Sequence, residues 1–394
     1  MSCKIPLIFY AIDKKYLNTL DLLPSNLQRS TMVHSLIEAY NIFPRVNIPG
    51  NIPLATREQL TSDCAVFEKI TEYCRYVVGA TILCAKKLTS RECDISINFD
   101  GGRHHSKKDS AAGYCYVNDI VLGILELHEK FNKVLYIDLD IHHGDGVEEA
   151  FKYTNKVFTL SFHRFDAAFY PGSGSLDDVG LGKGKFHNLN IPLKKGLKSE
   201  LFLKLFKIIL EKVMLKYNPD AIVLQCGADG IAFDPLGHSD KKPSSEGWNL
   251  DVTVFGGGGY NNENTARSWT YTLLKLLELE KATVSNFPLD DNIFHNNHKE
   301  SQYEWFLQQE KLKDYNIIPE HKYFEYYGPD FSLIVDTSNM KDDNEKLLSR
   351  KFQVKKLEST GDLLKLNEKN IKYCEYIISA CLKKLEFLTT PLST

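Results

Sequence analysis

The sequence lacks the features of several large protein classes. Its 394 residues carry a net charge of only -3, so it has no excess of basic side chains for a nucleic acid backbone. No apolar run approaches the roughly 20 residues that span a bilayer. The N-terminal segment has only a short apolar stretch and no small-residue cleavage site. We therefore expect no direct contact with nucleic acid or membrane, and a location in the nucleus and cytoplasm.

Paired cysteines are also missing. The nine cysteines are an odd number, and no two of them stand in a CxxC spacing. This usage is typical of a reduced compartment rather than of a disulfide scaffold. With 43% hydrophobic residues and no internal repeats, the chain is expected to form a globular protein with a substantial core.

Short apolar segments predict the strands of a mostly parallel β-sheet. Several show no alternation of polar and apolar residues, as expected of strands covered on both faces. Helical patterns at 113–131 and 199–217 separate some of them, which favours an α/β fold with helices flanking the sheet. The predicted strands are 94–99, 133–140, 156–162, 221–227 and 252–255.

Polar or glycine-rich clusters follow four of these strands. They include Asp100, Asp138 and Asp229, and the fourth is a run of glycines beginning at Gly256. Open parallel sheets bind their ligands beyond the carboxyl ends of the strands. We therefore expect an active site at that edge of the sheet.

The motif DLDIHHGDG, which begins at Asp138, has the spacing of a metal site. Alternate residues of a strand point to the same side, so Asp140 and His142 can reach one ion. Catalytic zinc takes three protein ligands, and Asp229, at the end of another strand, is the natural third. In the alternative interpretation these residues only cap strands and turns, which the complete motif disfavours.

Two adjacent histidines, His104 and His105, are candidates for acid–base catalysis. A metal-bound water that attacks an amide needs a base for its proton, and the leaving amine needs an acid. Asp138 and Asp145 remain once Asp140 is assigned to the metal, and each can orient one imidazole. We expect His104 to be mostly neutral, and His105 to be protonated more readily and to act as the principal base and then the acid. Histidines that merely lie at the surface are the alternative.

Tyr260 follows four consecutive glycines, which allow the backbone to pass close to a ligand. Its hydroxyl can donate to a substrate carbonyl oxygen that gains negative charge. Gly113, Tyr114 and Tyr170 can line an approach for a long apolar substrate stem. Core positions for these aromatic residues are the alternative.

Five segments resemble the class I zinc-dependent histone deacetylases, and RSTMVHSLIEAY resembles one branch of that family most. The resemblance runs, with gaps, from about residue 5 to 331. It implies an arginase/deacetylase-like fold and hydrolysis of acetyl-lysine in histones and other proteins, with release of acetate. The five segments are GGRHHSKKDSAAGYCYVNDIVLGILEL, VLYIDLDIHHGDGVEEAF, PGSGSLDDVGLGKGK, VLQCGADGIAFDPLG and GGGGYNNENTARSWTY.

Carried over by position, the resemblance implies the roles of the individual site residues. It implies Zn²⁺, with Fe²⁺ as an alternative, on Asp140, His142 and Asp229, and structural K⁺ at two further sites. The dyads would be His104 with Asp138 and His105 with Asp145. The other implied residues are Tyr260 on the acetyl carbonyl; Gly113, Tyr114, Tyr170 and Gly258 for substrate; Arg29 at an internal acetate channel; Asp138, Asp140, His142, Ser161 and Phe162 for one K⁺; and Phe151, Thr154, Val157 and His187 for the second.

The resemblance also divides the chain. It places a catalytic domain at 1–335, with an insertion at about 279–318, and a charged helical tail at 336–394. Acetylated histone tails and other acetyl-lysine proteins would be its substrates, and co-repressor proteins are further candidate partners. Apolar residues at 3,4 spacing in the tail predict an amphipathic helix that packs on the domain or binds a partner; they are Ile371, Cys374, Ile378, Cys381, Leu385 and Leu388.

The chain departs from the family pattern at several positions. Tyr114 and Tyr170 replace phenylalanines, Arg103 replaces an apolar residue, and Phe233 replaces a glycine. Segments of the family pattern are missing after Leu60 and between 236 and 252. Two alternatives to a protein deacetylase therefore stay open: a deacetylase of acetylpolyamines or other small acylamines, and a catalytically impaired scaffold that binds acyl-lysine.

Overall fold

The computed structural model describes residues 7–49, 64, 67–236, 251–282, 316–335 and 372–389. Seven strands of these residues form one sheet: β1 Ile8–Tyr10, β2 Ile95–Asn98, β3 Val134–Asp138, β4 Val157–Arg164, β5 Asn188–Leu193, β6 Ala221–Gln225 and β7 Asp251–Phe255. Their order is β1-β2-β7-β6-β3-β4-β5. Every neighbouring pair is parallel, which confirms the predicted fold class.

Helices cover both faces of the sheet. Those of the described ranges are α1 Lys14–Leu20, α2 Arg29–Ala39, α3 Ile70–Thr89, α4 Asp119–Leu127, α5 Asp145–Phe151, α6 Ser199–Tyr217, α7 Asn262–Ala282 and α8 Lys372–Glu386. Because successive strand residues point to opposite faces, Val134 and Tyr136 pack with α3 and α4. Leu135 and Ile137 pack with α6 and α8 on the other face.

All five predicted strands are present, with ends that differ by up to two residues. The structure adds β1, which has only three residues, and β5. The buried side chains of Asn188 and Asn190 interrupt the apolar pattern of β5. Both are hydrogen-bonded, Asn188 with Thr159 and Asn190 with Glu148. Polar side chains that form hydrogen bonds can lie in a buried strand. The sequence of β5 therefore shows no continuous apolar run by which it could be predicted.

The predicted helix 113–131 is wrong at its start, whereas the predicted helix 199–217 is confirmed as α6. Gly113 and Tyr114 have φ angles of 53° and 62°, which an α-helix does not allow. The helix begins only at Asp119, where the side chain of Asn118 caps it by accepting from the Val121 amide at 3.1 Å. The residues before Asn118 thus form a loop at the sheet edge.

The tail helix α8 packs on the domain. Cys381 and Leu385 are buried, and Ile378 and Leu388 are partly buried, in the cluster that α6 forms with the sheet. The packing alternative is therefore confirmed for this part of the tail. Ile377 contributes more to the contact than the 3,4 pattern indicates, since it is almost fully buried.

Some sequence predictions fall outside the described residues. They concern the junction after Leu60, the segment 237–250, most of 279–318 and Ile371. Among the helices that are described, none combines the length and the hydropathy needed to cross a membrane.

Candidate active site

The site lies where four neighbouring strands end. The strands β2, β7, β6 and β3 are adjacent in the sheet. The predicted polar clusters follow these four strands, so their loops converge at one edge. This edge is the place where parallel sheets bind ligands, as predicted from the sequence.

Asp140, His142 and Asp229 form a buried triad that can hold a metal ion. One ligand atom from each residue lies within 4.8 Å of the others. The Nδ1 atom of His142 is 3.1 Å from Oδ1 of Asp140 and 2.9 Å from Oδ2 of Asp229. Two carboxylates and one imidazole are a donor set that divalent zinc or iron accepts.

The charges of this triad also fit a cation. Burial, reinforced by the nearby negative charge of Asp140, raises the pKa of Asp229. Burial lowers the pKa of His142, but Asp140 and Asp229 outweigh it and raise that pKa to about 10. Two buried carboxylates at this distance repel each other unless positive charge lies between them. A divalent cation would supply that charge.

Neighbouring groups orient the triad. The Nε2 atom of Gln225 and the amide of Gly258 each donate to Oδ2 of Asp140 at 2.9 Å. The ring of Phe169 stacks on His142 with 5.1 Å between centroids. Sequence reasoning missed Gln225, because it lies within a predicted buried strand, and Phe169, because it lies outside the strand-end clusters. Groups of this kind fix the direction of metal ligands.

Both predicted histidine dyads form. The Nδ1 atom of His104 is 2.8 Å from Oδ2 of Asp138, and Nδ1 of His105 is 2.8 Å from Oδ1 of Asp145. The two imidazole rings lie 3.9 Å apart between centroids. The Nε2 atom of His104 is 3.8 Å from Oδ1 of Asp140, so this dyad adjoins the metal triad.

The charge order of the two histidines is the reverse of the expected one. Burial lowers the pKa of His104, but Asp138 and Asp140 outweigh it and raise that pKa to about 9. Burial and the positive charge of His104 lower the pKa of His105 to about 3, despite Asp145. The order of the two pKa values differs from the expected one because Asp140 acts on His104 as a second carboxylate. With the charges of the protein alone, His105 is the neutral imidazole.

The glycine run after β7 passes directly beside the triad. A Cβ atom on Gly258 would collide with the carboxylate of Asp229, so only glycine fits there. Arg29 holds this run by donating from one guanidinium nitrogen to the carbonyls of Gly257 and Gly259, at 3.2 and 2.9 Å. Arg29, which was predicted to lie at an internal channel, is therefore hydrogen-bonded to the loop that carries Tyr260.

The backbone of Tyr260 is fixed by a carboxylate. Its amide donates to Oδ2 of Asp234 at 2.7 Å, a carboxylate that sequence reasoning did not single out. Burial and the negative charges of Asp229 and Asp140 raise the pKa of Tyr260 well above its usual value. The hydroxyl therefore keeps its proton at neutral pH and can donate it to an anionic oxygen.

The predicted substrate-lining residues surround His105 and Tyr260. The Tyr170 ring lies 4.9 Å from the His105 ring, and the Tyr114 ring lies 5.7 Å from the Tyr260 ring. A Cβ atom on Gly113 would collide with the His105 ring. Tyr114 and Tyr170 are 45% and 43% exposed, so the alternative that both belong to the core is wrong.

The residues predicted to hold cations elsewhere lie in two groups. Asp138 and Ser161 are direct partners in the register of β3 and β4, and Phe162 follows Ser161 in β4. In the second group, Phe151, Thr154 and Val157 lie between the end of α5 and the start of β4, and His187 directly precedes β5. There the carbonyls of Phe151 and His187 already accept from backbone amides.

Known proteins match most of this chain. The histone deacetylase domain matches residues 12–276. Histone deacetylase 8 of Danio rerio is 36% identical, over 92% of this chain and 96% of its own. Histone deacetylase 9 of Arabidopsis thaliana is 40% identical over 82% and 68%, and histone deacetylase 1 of Homo sapiens is 38% identical over 84% and 64%. The resemblance noted in the motifs is confirmed: the chain belongs to the histone deacetylase family.

Proposed function

We propose that this histone deacetylase family member hydrolyses acetyl-lysine in histones and other proteins through a zinc site, with residues 1–335 as its catalytic domain. The observation that carries the proposal is one cluster with three parts around a buried triad. These are the triad of Asp140, His142 and Asp229, the two histidine dyads and Tyr260, whose pKa is raised by burial and by the carboxylates of the triad. Metal-assisted amide hydrolysis needs these three parts together.

Asp140, His142 and Asp229 would hold Zn²⁺, with Fe²⁺ as the alternative. When bound, the metal supplies a Lewis acid that activates water and polarises a carbonyl. Gln225 and Gly258 occupy Oδ2 of Asp140. Its Oδ1 atom lies 3.1 Å from Nδ1 of His142.

We assign proton transfer mainly to His105. Its Nδ1 atom donates to Asp145, which leaves the Nε2 lone pair to take a proton from water and pass it to the leaving lysine amine. Its ring packs against Tyr170 in the substrate approach. The ring of His104 lies beside Asp140 instead, so we assign it to stabilising negative charge at the reacting carbonyl.

The remaining site residues would bind and release the substrate. The Tyr260 hydroxyl would donate to the acetyl carbonyl oxygen as it becomes an oxyanion. Tyr114 and Tyr170, with Gly113 and Gly258, would enclose the apolar stem of lysine. Acetate would leave through the cavity that Arg29 lines.

Further parts of the proposal concern ions and partners. Structural K⁺ would bind at the two groups of residues beside β4, at Ser161 and Phe162 and at Phe151 and His187, because carbonyl and carboxylate oxygens are the ligands that such ions take. Acetylated histone tails are the proposed substrates, co-repressor proteins are proposed partners, and the nucleus and cytoplasm are the proposed location.

The decisive experiment measures zinc content and hydrolysis of an acetyl-lysine peptide by the purified protein. We expect Asp229→Ala to lose both, because the carboxylate completes the triad. Asp109→Ala is the control, since Asp109 is exposed, and it should keep both. Full zinc loading with normal turnover in Asp229→Ala would remove this residue from the ligand set and contradict the proposed site.

A second candidate is the hydrolysis of small acylamines such as acetylpolyamines. The exposed aromatic side chains of Tyr114 and Tyr170 carry hydroxyl groups, which suit a polar amine chain better than phenylalanine would. Values of kcat/KM for an acetylpolyamine and an acetyl-lysine peptide distinguish the two candidates. A much higher kcat/KM for the acetylpolyamine would make small acylamines the proposed substrates, and the proposed metal site would still stand.

A further inference from the structure

An exposed aromatic residue, Phe233, lies on the loop that follows β6. Its neighbours Ile231, Ala232 and Asp234 are buried, whereas Phe233 is 61% exposed. A large apolar ring in solvent lacks the stabilisation that burial would give it. The loop therefore buries the side chains on both sides of Phe233 and presents its ring to solvent.

The backbone of Phe233 is in the left-handed region, with a φ angle of 68°. A bulky side chain is rare there because its Cβ atom crowds the backbone, whereas glycine adopts the same conformation without that strain. Residues held in such conformations cluster at active sites and ligand clamps. Neither the backbone nor the exposure of Phe233 favours stability, which indicates a role in binding.

A second aromatic residue beside the site has the same two properties. Among the described residues, the aromatic ones with positive φ angles are Tyr114, Phe186, Phe233 and Phe331. Of these four, only Tyr114 and Phe233 are exposed. The Tyr114 ring lies 5.7 Å from the Tyr260 ring. The combination of exposure and positive φ therefore recurs at a residue of the proposed substrate approach.

Hydrogen bonds join the loop of Phe233 to the segment that carries Tyr260. The Oδ2 atom of Asp234 accepts from the Tyr260 amide at 2.7 Å. On the other side of Phe233, the Ala232 carbonyl accepts from the Asn264 side chain at 3.1 Å. Phe233 is therefore one residue away from the contact that fixes Tyr260.

These contacts also hold the loop in one conformation. The Oδ1 atom of Asp234 accepts from the Leu236 amide at 2.9 Å, and the Asp234 amide donates to the Ile231 carbonyl at 3.3 Å. A preorganised surface loses less conformational freedom on binding than a flexible one. A substrate side chain that covers Phe233 would thus gain apolar burial with little ordering of the loop.

The chemistry of the ring determines which side chain it can bind. Phenylalanine has no charge and no hydrogen-bonding group, so it favours apolar partners. In the proposed function, the lysine stem fills the approach between Tyr114 and Tyr170. An exposed ring beside that approach is placed to meet a residue that flanks the acetyl-lysine.

We propose that Phe233 is a specificity-determining residue that binds a large apolar side chain next to the acetyl-lysine of a protein substrate. The inference rests on the proposed function and narrows its substrate class. Small acylamines have no flanking residue, so Phe233 also favours peptides over them. The expected consequence is a preference among acetylated proteins that the metal site alone does not provide.

The first test compares acetyl-lysine peptides that differ only beside the acetyl-lysine. One has glycine on both sides, and two have leucine on one side or the other. We expect kcat/KM to be about threefold to tenfold higher for one leucine peptide than for the glycine peptide, mainly through KM. Phe233→Ala and Phe233→Gly should bring this ratio close to one, and Phe233→Tyr should keep it. Tyr326→Ala is the control, because Tyr326 is 62% exposed, and it should keep the ratio.

The second test concerns the backbone of Phe233. Glycine relieves the left-handed conformation and alanine does not, so Phe233→Gly should have a Tm about 1–3 °C above that of Phe233→Ala. Phe233→Gly should also be at least as stable as the unaltered protein while it loses the preference, as expected of a residue kept for binding. A clearly lower Tm in Phe233→Gly than in the unaltered protein would make Phe233 a structural residue.

Peptide binding separates this inference from the proposed function. Fluorescence anisotropy with the same peptides, carrying a fluorescent label, gives Kd without turnover. Tighter binding of a leucine peptide that depends on Phe233, without any hydrolysis, would refute the function and support the inference. An active enzyme with no flanking preference, or with the same preference in Phe233→Ala and Phe233→Gly, would overturn the inference. A preference for arginine-flanked peptides that both variants lose would indicate a cation–π contact and overturn the apolar substrate class.

Discussion

At the residue scale, each carboxylate of the site is held by several donors at once. Asp138 accepts from the His104 ring at 2.8 Å, from the Tyr136 hydroxyl at 2.6 Å and from the Asp140 amide at 3.1 Å. Such networks keep buried charges in one orientation. The orientation of each functional group therefore depends on its hydrogen-bond partners as well as on its own side chain.

Replacing Tyr260 tests the role of one hydroxyl group. Tyr260→Phe should lower kcat by roughly 10²–10³-fold with little change in zinc content, as loss of one oxyanion donor typically does. Steady-state kinetics on an acetyl-lysine peptide and metal analysis give the measurement. Tyr153→Phe is a matched control, because Tyr153 is 62% exposed. An unchanged kcat would make Tyr260 a structural residue.

The two histidines are compared through alanine variants. We expect His105→Ala to lose more activity than His104→Ala, since the His105 ring packs against Tyr170 in the proposed substrate approach and its Nδ1 atom is held by Asp145. Both variants need equal zinc content for the comparison. Greater residual activity in His105→Ala would assign the base to His104.

At the scale of elements, loops rather than helices bring the site together. The residues before α4 form a loop held by Asp119, which accepts from the amides of Gly102 and Arg103 at 3.1 and 2.8 Å. Asn118 caps the same helix. A single short segment therefore ends the loop of the paired histidines and starts a core helix.

Replacing Leu385 tests whether helix α8 stabilises the rest of the fold. Leu385 of α8 is buried against the cluster around α6. Leu385→Ala should lower the free energy of unfolding by about 2–4 kcal/mol, through lost apolar contact and the cavity left in the core. Urea unfolding measures this, with Lys383→Ala at an exposed position as the control. Equal stability of the two variants would show that α8 does not contribute to the fold.

At the scale of the whole molecule, one partly buried, ionised carboxylate joins separate layers of the fold. Glu148 of α5 accepts from His143 and from Asn190 of β5, each at 2.8 Å. Burial raises the pKa of Glu148, but these hydrogen bonds outweigh it, so the folded-state pKa is lowered. A helix, a loop of the site and a distant strand are thus linked by one charge.

This link predicts a pH-dependent stability. A carboxyl group whose pKa is lowered on folding stabilises the protein above its unfolded pKa, and this contribution disappears as the pH falls through the folded value. Glu148→Gln should therefore cost about 1–3 kcal/mol at pH 7 and progressively less in acid. Urea unfolding at several pH values measures the difference. The exposed Glu149→Gln variant should show a small effect throughout, and a cost for Glu148→Gln that grows in acid would contradict the assignment.

The sequence by itself determined the donors of the site and the edge of the sheet where they lie. Asp140 and His142 are two residues apart, and the period of a strand places them on one side. Asp229 follows another strand, and parallel strands end at the same edge. These conclusions need only local geometry, and the structure brings the three residues of the triad together. The pairing within the two dyads was implied by the family resemblance, and the paired atoms lie 2.8 Å apart.

Only the tertiary structure decided the charges and the supporting contacts. The pKa order of His104 and His105 depends on the summed charges of groups brought together from several loops, which no local pattern contains. The loop at Gly113 arises because positive φ angles and packing against His105 override a helical sequence pattern. Arg29 and Arg103, distant in sequence, share one cavity because α2 and the loop after β2 are packed together by the core.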